Sequence, residues 1–180
     1  MLLFNDGIGF AEVLRHIMII LGIDPGLATV GYGVVNCQRG VFRAIEYGAI
    51  ITKPHQLLEN RLEEIYDSVC TIIERHAIDC MAVEELFFTK NITTGIAVAE
   101  ARGVILLTCI KHTGKLYEYT PMQIKQAITG YGNAEKRQVQ AMVKMLLKLD
   151  KIPKPDDAAD ALAAALTHAQ TNRLSDLFHI

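Results

Sequence analysis

Residues 18–26 read Met18-Ile-Ile-Leu-Gly-Ile-Asp24-Pro25-Gly26, an apolar run that ends in an aspartate and a turn. A short apolar run closed by Pro-Gly is typical of a buried β-strand. The segment therefore predicts a core strand whose last residue, Asp24, turns out of the sheet into a crevice.

Three further carboxylates stand at the ends of predicted core elements. Glu84 ends a second apolar run, Cys80-Met-Ala-Val-Glu84. Asp157 and Asp160 lie in the strongly helical stretch Asp157-Ala-Ala-Asp160-Ala-Leu-Ala, where i,i+3 spacing places both on one helix face. Carboxylates crowded in this way repel one another unless Mg²⁺ or Mn²⁺ neutralises them. The pattern predicts an acidic, metal-binding pocket.

The rest of the chain predicts a strand meander followed by alternating helices and strands. Strands are expected over 18–24, 30–37, 42–52, 79–84 and 116–120, and helices over 56–76 and 93–112. Thr120-Pro121 predicts the N-cap and first residue of a short helix that ends at Gly130, and Asn133 is expected to cap a helix over 134–149. An alanine-rich last helix over 157–170 can lie close to the sheet. We predict an α/β fold with a five-stranded mixed sheet and helices on both faces.

Composition fits one compact domain and excludes few functions. The 180 residues are 51% hydrophobic, enough to bury a sizeable core. A net charge of −2 argues weakly against nucleic-acid binding. Residues 111–151, however, hold eight lysines and arginines against three acidic residues. A basic face beside an acidic pocket is therefore compatible with the nearly neutral total.

Cysteine usage and hydropathy indicate a soluble cytoplasmic protein. The four cysteines stand singly among apolar residues, which is typical of reduced core thiols. The longest apolar stretches fall short of the roughly 18 to 20 residues that cross a bilayer. We expect residues 1–17 to be an N-terminal extension without a defined structure or a start-site artefact, 18–172 to form the domain, and 173–180 to form a tail.

Six motifs in a fixed order carry a family resemblance. They are Met18-Ile-Ile-Leu-Gly-Ile-Asp24-Pro-Gly-Leu-Ala-Thr-Val-Gly-Tyr-Gly, Val83-Glu84-Glu-Leu-Phe87-Phe-Thr-Lys90-Asn91, Glu100-Ala-Arg102-Gly103, Gln123-Ile-Lys125-Gln126, Lys136-Arg-Gln138-Val-Gln140 and Asp157-Ala-Ala-Asp160-Ala-Leu-Ala. The chain resembles the RuvC-type Holliday junction resolvases, which belong to the RNase H-like nuclease superfamily. No single motif is specific to this family, but six motifs in the family's order between residue 18 and about residue 170 are.

The resemblance implies a crossover junction endodeoxyribonuclease that nicks two strands of like polarity in recombination and DNA repair. Two Mg²⁺ ions, replaceable by Mn²⁺, would activate the attacking water and stabilise the leaving oxygen. Asp24 is expected to bridge the two ions because it leaves the central strand and is rigidly held. The resemblance assigns Glu84 and Asp157 as ligands on either side and Asp160 as the fourth.

Each of these carboxylates also has an ordinary structural interpretation. Asp24 could belong only to a turn, and Asp157 and Asp160 could form an acidic first turn that suits the helix dipole. Two neighbours are alternatives as ligands. Asp156, which we expect to be the N-cap, could replace Asp157, and Glu85, one pleat away on the other face, could replace Glu84.

Several residues are candidates for DNA contact. Phe87 follows the strand of Glu84 and could stack on an unpaired base at the crossover, although burial in the core would explain it too. Lys125 and Lys136 match basic family positions near the scissile phosphate, and Arg137 and Lys90 are weaker candidates. Any of these cations could instead be a solvated surface residue. A histidine, His168, lies about 12 Å beyond Asp160 along the helix, too far to be an expected ligand.

The resemblance also implies the partners. A four-way DNA junction is the substrate, and its two-fold symmetry fits a homodimer. A junction-binding tetramer and a branch-migration motor of the RuvA and RuvB type are further implied partners. The helix over 93–112 is a candidate dimer interface through Gly95, Ala97, Ala99, Ala101 and Gly103, although internal packing would explain these small residues equally well.

Three other function classes stay open from sequence alone. An RNase H-like nuclease that acts on RNA would use the same acidic pocket. A junction-binding module without catalysis would not need four carboxylates. The Asp24 motif also resembles the first phosphate loop of actin-like ATPases and sugar kinases, but those proteins need a duplicated domain for which this chain has no room.

Overall fold

The computed structural model of the protein describes residues 17–86 and 92–178. Within these ranges, five strands form one sheet: β1 (Ile17–Asp24), β2 (Thr29–Gln38), β3 (Val41–Ile51), β4 (Cys80–Glu84) and β5 (Leu116–Tyr119). Their order across the sheet is β3-β2-β1-β4-β5. The strand limits match the predicted ones to within one residue, and β1, the strand of Asp24, is central as expected.

The sheet is mixed. β1 and β3 run antiparallel to β2, whereas β4 runs parallel to β1 and β5 parallel to β4. The carboxyl ends of β1, β4 and β5 therefore meet at one edge of the sheet. Ligand-binding crevices form at this edge in open α/β sheets, because the chain leaves the strands there in different directions.

Helices cover both faces of the sheet. Their limits are α1 (Leu58–His76), α2 (Ile92–Thr113), α3 (Pro121–Thr129), α4 (Lys136–Leu146) and α5 (Asp156–Phe178). One core cluster joins the sheet to α3, α4 and α5, and a second joins its other face to α1 and α2. The predicted five-stranded mixed sheet with helices on both faces is confirmed.

Local capping chemistry explains where two of the helices begin. Thr120 caps α3, since its hydroxyl accepts from the Gln123 N–H at 3.1 Å while the Gln123 side chain accepts from the Thr120 N–H at 2.8 Å. Gly130 then ends α3 in the left-handed region with φ 77°. The prediction that Asn133 caps the next helix is wrong, because the Ala134 N–H still closes a turn onto the Tyr131 carbonyl at 3.1 Å. That helix begins at Lys136, after Glu135.

The last helix, α5, is the central helix of the fold. It begins at Asp156, which is the first helical residue rather than the predicted N-cap, and it continues to Phe178, well past the predicted end at residue 170. Between Ala158 and Ala169, all residues except Asp160 are buried. A helix that is apolar nearly all round must be enclosed by other elements. Here the enclosing elements are the sheet together with α3 and α4.

Strand glycines let α5 approach the sheet closely. Gly22 of β1 and Gly33 of β2 are paired across the two strands. A Cβ on Gly22 would stand 2.0 Å from the Ala161 carbonyl oxygen, and one on Gly33 would stand 2.7 Å from the Leu162 side chain. A glycine inside a strand commonly marks such an approach. The helix backbone therefore lies directly on the centre of the sheet.

Neither a membrane span nor a disulfide is found in the part of the chain that the structure describes. No helix there is long and apolar enough to cross a bilayer. Burial raises the pKa of the Cys80 and Cys109 thiols to about 12. These two residues are core side chains, as the sequence predicted for all four cysteines, whereas Cys37 and Cys70 are only partly buried.

The glycine contact predicts a large and local stability effect. Gly22→Ala would drive a methyl group into the α5 backbone, so we expect unfolding free energy to fall by about 3 kcal/mol or more. Gly103→Ala in α2 is the matched control, because an added Cβ there has no atom within 4 Å. We expect it to be neutral or to stabilise by up to about 1 kcal/mol. Urea unfolding of both variants measures the difference, and equal effects would contradict the packing argument.

Candidate functional site

Two of the predicted carboxylates lie side by side at the ends of parallel strands. Ile23 of β1 pairs with Val83 of β4, and the next residues, Asp24 and Glu84, are the last of their strands. Both are partly buried. Because side chains at matching positions of neighbouring strands share a face, Asp24 and Glu84 point to the same side of the sheet. That is the side covered by α5.

The other two carboxylates come from the first turns of α5. Gly31 of β2 pairs with Asp24, and a Cβ on Gly31 would stand 2.0 Å from the Asp157 carbonyl oxygen. The start of α5 therefore rests on the strand position beside Asp24. Asp160, three residues further on, lies on the same face of the helix as Asp157. Residues far apart in the sequence are thus brought to one pocket.

The pocket is electrostatically strained. Burial, followed by repulsion from the Glu84, Asp160 and Asp157 carboxylates, raises the pKa of Asp24 to about 8. Burial and repulsion from Asp160 raise the pKa of Glu84 to about 7, against the opposing effect of Lys136 and Lys125. Without added positive charge, the site therefore holds protons near neutral pH. Such paired shifts are typical of functional carboxylate clusters.

Lys136 supplies part of the positive charge. Its Nζ lies 2.8 Å from Asp160 Oδ2 and 3.9 Å from Asp156 Oδ2. Burial alone would lower the pKa of Lys136, but the hydrogen bond and attraction to Asp160 outweigh it and raise the pKa. For Asp160, burial outweighs Lys136 and raises the pKa. The sequence predicted Lys136 as a phosphate contact, but it gave no sign of this ion pair with a candidate ligand.

A cavity of about 260 Å³ opens beside these charges. Its lining includes Glu84, Asp160, Lys125 and Lys136, with Pro121, Ile124, Val139 and Ala163 completing the wall. Acidic and basic groups thus share one opening between the sheet edge, α3, α4 and α5. A larger cavity of about 350 Å³, lined by residues between Asn36 and Arg43, lies at the opposite end of β1. It contains no carboxylate among its lining residues.

The donor set suits a hard divalent cation. Four carboxylates supply oxygen ligands, the kind that Mg²⁺ and Mn²⁺ prefer, and the raised pKa values reflect unneutralised negative charge. Within residues 17–86 and 92–178, however, no three acidic, histidine or cysteine side chains already enclose a single point as metal ligands. One of the carboxylates, Asp160, is paired with Lys136. Binding of a cation would require the carboxylates to move closer together than they lie in this structure.

The predicted site residues divide into three groups. Asp24, Glu84, Asp157 and Asp160 are close enough for the other three to raise the pKa of Asp24, and Glu84 and Asp160 line the cavity together with Lys125 and Lys136. Arg137 is instead largely exposed and pairs with Glu135 at 2.7 Å. Phe87 and Lys90 lie outside the described residues. The alternatives are less well placed, since Glu85 follows the end of β4 and Asp156 pairs with Lys154 at 2.6 Å.

The buried histidine of α5 has a different set of contacts. His168 Nδ1 lies 2.8 Å from the Tyr119 hydroxyl, and its ring stacks on Tyr117 with the centroids 4.0 Å apart. Burial lowers the pKa of His168, which favours the neutral ring. Both tyrosines belong to the edge strand β5, and Tyr119 is paired with Glu84. His168 thus ties β5 to α5 and does not reach the carboxylates through these contacts.

Comparison with known proteins identifies similar chains and folds. The family model described as "Crossover junction endodeoxyribonuclease RuvC" matches residues 20–168. The protein of that description from Clostridioides difficile is 54% identical over 158 residues, covering 87% of this chain and 93% of the relative. The one from Alkaliphilus metalliredigens is 50% identical over 163 residues, covering 91% and 99%.

A solved structure is similar over nearly the same span. The structure titled "T. thermophilus RuvC in complex with Holliday junction substrate" superposes with a TM-score of 0.83 at 36% identity. The match covers 88% of this chain and 96% of that one. The family model, which covers residues 20–168, includes all four candidate carboxylates.

The raised pKa values predict a pH-dependent stability defect in the metal-free protein. An unfolded chain ionises Asp24 near pH 4, whereas the folded chain retains the proton until about pH 8. From about pH 4 to 8 the folded state thus binds more protons, and stability falls as pH rises. Asp24→Asn removes this ionisation. In EDTA, we expect its melting temperature to exceed that of the wild type by a margin that grows from about pH 5 to about pH 8.

Asp67→Asn, on the exposed surface of α1, is the control for this measurement. Its melting temperature should differ from that of the wild type by an amount that does not change with pH. A constant difference for Asp24→Asn as well would show that Asp24 ionises normally in the folded protein.

Proposed function

Since this chain belongs to the RuvC family of crossover junction endodeoxyribonucleases, we propose that its acidic pocket hydrolyses one phosphodiester bond in each of two like-polarity strands of a Holliday junction. The family match spans 149 of the chain's residues, from 20 to 168, and includes all four carboxylates. The observation that carries the proposal is the convergence of Asp24, Glu84, Asp157 and Asp160 in one partly buried pocket.

The family is one of divalent-metal-dependent nucleases, and we propose Mg²⁺ as the ion, two per site, with Mn²⁺ able to substitute. Asp24 would contact both ions, and Glu84, Asp157 and Asp160 would complete the ligands. When bound, the cations activate the attacking water and stabilise the negative charge of the leaving oxygen. The unneutralised charge that raises the pKa of Asp24 and Glu84 supports this assignment.

The lysines of the cavity have a separate role in this proposal. Lys125 and Lys136 line the same opening as Glu84 and Asp160, so a phosphate that enters the pocket passes both ammonium groups. In this proposal, Lys136 would leave Asp160 and bind the phosphate once the Asp160 carboxylate contacts a cation. The ion pair at 2.8 Å thus keeps the pocket partly neutralised until substrate arrives. Arg137, Lys90 and Phe87 stay predicted DNA contacts.

A homodimer would match the symmetry of the substrate. Two identical sites related by a dyad can nick two strands at equivalent points, which one subunit cannot do. The exposed face of α2 supports this helix as the interface, since Ile96, Leu107 and Ile110 are each about half exposed or more. Of the small residues predicted to form that face, Ala101 is buried in the core, whereas Gly103 is exposed with open space around it. Large apolar side chains therefore contribute to the exposed surface of α2.

Other partners follow from the family alone. A junction-binding tetramer and a branch-migration motor, of the RuvA and RuvB type, would deliver the junction to the dimer. An RNA-directed nuclease with the same pocket is the main alternative to junction cleavage, because the pocket chemistry acts on the phosphodiester rather than on the sugar. Cleavage of a four-way junction, of linear duplex DNA and of an RNA–DNA hybrid distinguishes these two functions.

Junction cleavage is tested by removing one pocket charge. Asp24→Asn should reduce nicking of a four-way junction in Mg²⁺ by at least about 1000-fold, because an expected bridging ligand is lost. Junction binding in EDTA should stay within a few-fold of the wild type. Wild-type cleavage should be strong on the four-way junction and weak on linear duplex DNA and on an RNA–DNA hybrid.

Asp67→Asn again serves as the control and should cleave at the wild-type rate. Near-normal nicking by Asp24→Asn would refute the assignment of the pocket. Preferential cleavage of the RNA strand by the wild type would instead favour the RNA-directed alternative.

The two lysines are tested through the salt dependence of binding. If Lys125 and Lys136 each neutralise one phosphate, Lys125→Ala and Lys136→Ala should each lower the slope of log K against log salt by about one. Lys53→Ala, an exposed lysine just after β3, should leave the slope unchanged. Unchanged slopes in both pocket variants would mean that these lysines do not touch DNA in the complex.

A further inference from the structure

We infer that Tyr131 and Met122 form a stacking platform for a nucleobase beside the pocket, in addition to the phosphate contacts of the lysines. Tyr131 lies in the α3–α4 loop (residues 130–135), which connects the helix of Lys125 to the helix of Lys136. Both lysines line the cavity that contains Glu84 and Asp160. This inference rests on the proposed function, since its ligand is a base of the bound junction.

The loop holds Tyr131 in a defined position. The Tyr131 N–H donates to the Thr129 hydroxyl oxygen at 3.1 Å, and the Tyr131 carbonyl accepts from the Ala134 N–H at 3.1 Å. The Gln126 side-chain amide donates to the Gly130 carbonyl at 2.9 Å. These bonds restrain the backbone at Gly130, Tyr131 and Ala134, which reduces the entropy lost when a ligand binds to the loop.

The tyrosine ring contributes little to the core. Tyr131 is 60% exposed and Met122, on the first turn of α3, is 65% exposed. The loop lies across that turn, because a Cβ on Gly132 would stand 3.0 Å from Met122 Cγ. Met122 thus lies against Gly132, the neighbour of Tyr131, and both the aromatic and the thioether side chain are exposed. A flat apolar partner would remove both from water.

The neighbouring charges select the partner. On either side of the loop, Lys125 and Lys136 carry positive charge, while Arg137 offsets the adjacent Glu135 at 2.7 Å. Exposed apolar side chains on a loop whose flanking helices carry lysines suit a ligand that alternates flat rings with phosphates, as a DNA strand does. Pro121, the residue before Met122, is itself part of the cavity wall. Met122 therefore directly follows a residue of the wall of the opening through which the scissile phosphate would enter.

The experiment uses a four-way junction with 2-aminopurine at the crossover, bound in EDTA so that no strand is cut. Tyr131→Ala should weaken binding by roughly 5- to 150-fold, the range expected for loss of one stacked base. Tyr131→Phe should bind like the wild type, because the ring is kept. Stacking changes 2-aminopurine fluorescence, so the wild type and Tyr131→Phe should change the signal on binding and Tyr131→Ala should not.

Two readouts separate stacking from other causes. The salt slope should stay at the wild-type value in Tyr131→Ala, whereas loss of a phosphate contact would lower it by about one. Tyr66→Ala, at a partly exposed tyrosine of α1 on the other face of the sheet, is the matched control and should bind normally. Met122→Ala should weaken binding in the same direction as Tyr131→Ala, by a smaller factor.

Normal affinity and normal fluorescence response in Tyr131→Ala would overturn the inference while leaving junction cleavage intact. A loss of affinity accompanied by a lowered melting temperature or an altered oligomeric state would also overturn it, since Tyr131 would then serve the fold or the dimer. If the wild-type chain neither binds nor cuts four-way junctions, the proposed function itself fails, and this inference fails with it.

Discussion

The contact between α5 and the glycines of β1 and β2 is the constraint on which the rest of the structure depends. Gly22 and Gly31 remove the side chains that would otherwise hold the helix away from the sheet, and alanines such as Ala161 do the same on the helix. The helix backbone can then rest on the strands, so that the first turns of α5 lie beside the end of β1. A larger distance between α5 and the sheet would separate Asp157 and Asp160 from Asp24, and the acidic pocket would not form.

That packing has an electrostatic consequence. It gathers four carboxylates in a place where burial and mutual repulsion raise the pKa of Asp24 to about 8 and that of Glu84 to about 7. A sequence selected only for stability would not retain such a cluster, since buried charges without partners are costly. The cost is reduced by the Lys136–Asp160 ion pair and would be removed by bound cations. The same clustering of carboxylates thus causes the electrostatic repulsion and provides the oxygen ligands for a cation.

The site also shows how one segment can serve two purposes. The α3–α4 loop sets the direction of α4 and thereby the position of Lys136, and the same loop carries Tyr131 on the surface. Its fixed geometry comes from short-range hydrogen bonds to Thr129 and Gln126 rather than from burial. Rigid loops on a packed scaffold are the usual location of binding residues, because the scaffold keeps its stability when the loop surface changes.

Much of this protein is determined locally and could be predicted from the sequence. The apolar run before Asp24 specifies a buried strand, and Thr120-Pro121 and Gly130 specify the two ends of α3, because these effects depend only on adjacent residues. The order of the motifs identified the family, and the same motifs predicted the four carboxylates of the site. Local signals failed at Asn133, where the turn from Tyr131 to Ala134 delays the helix, and at Asp156, which enters the helix instead of capping it. Only the tertiary structure decided that Lys136 pairs with Asp160, that Gly31 supports Asp157, and that Tyr131 is exposed. The two contacts join segments that are distant in the sequence, and the exposure of Tyr131 depends on how the helices surround the sheet. The packing of the whole domain determines these distances and exposures, so no local sequence pattern could predict them.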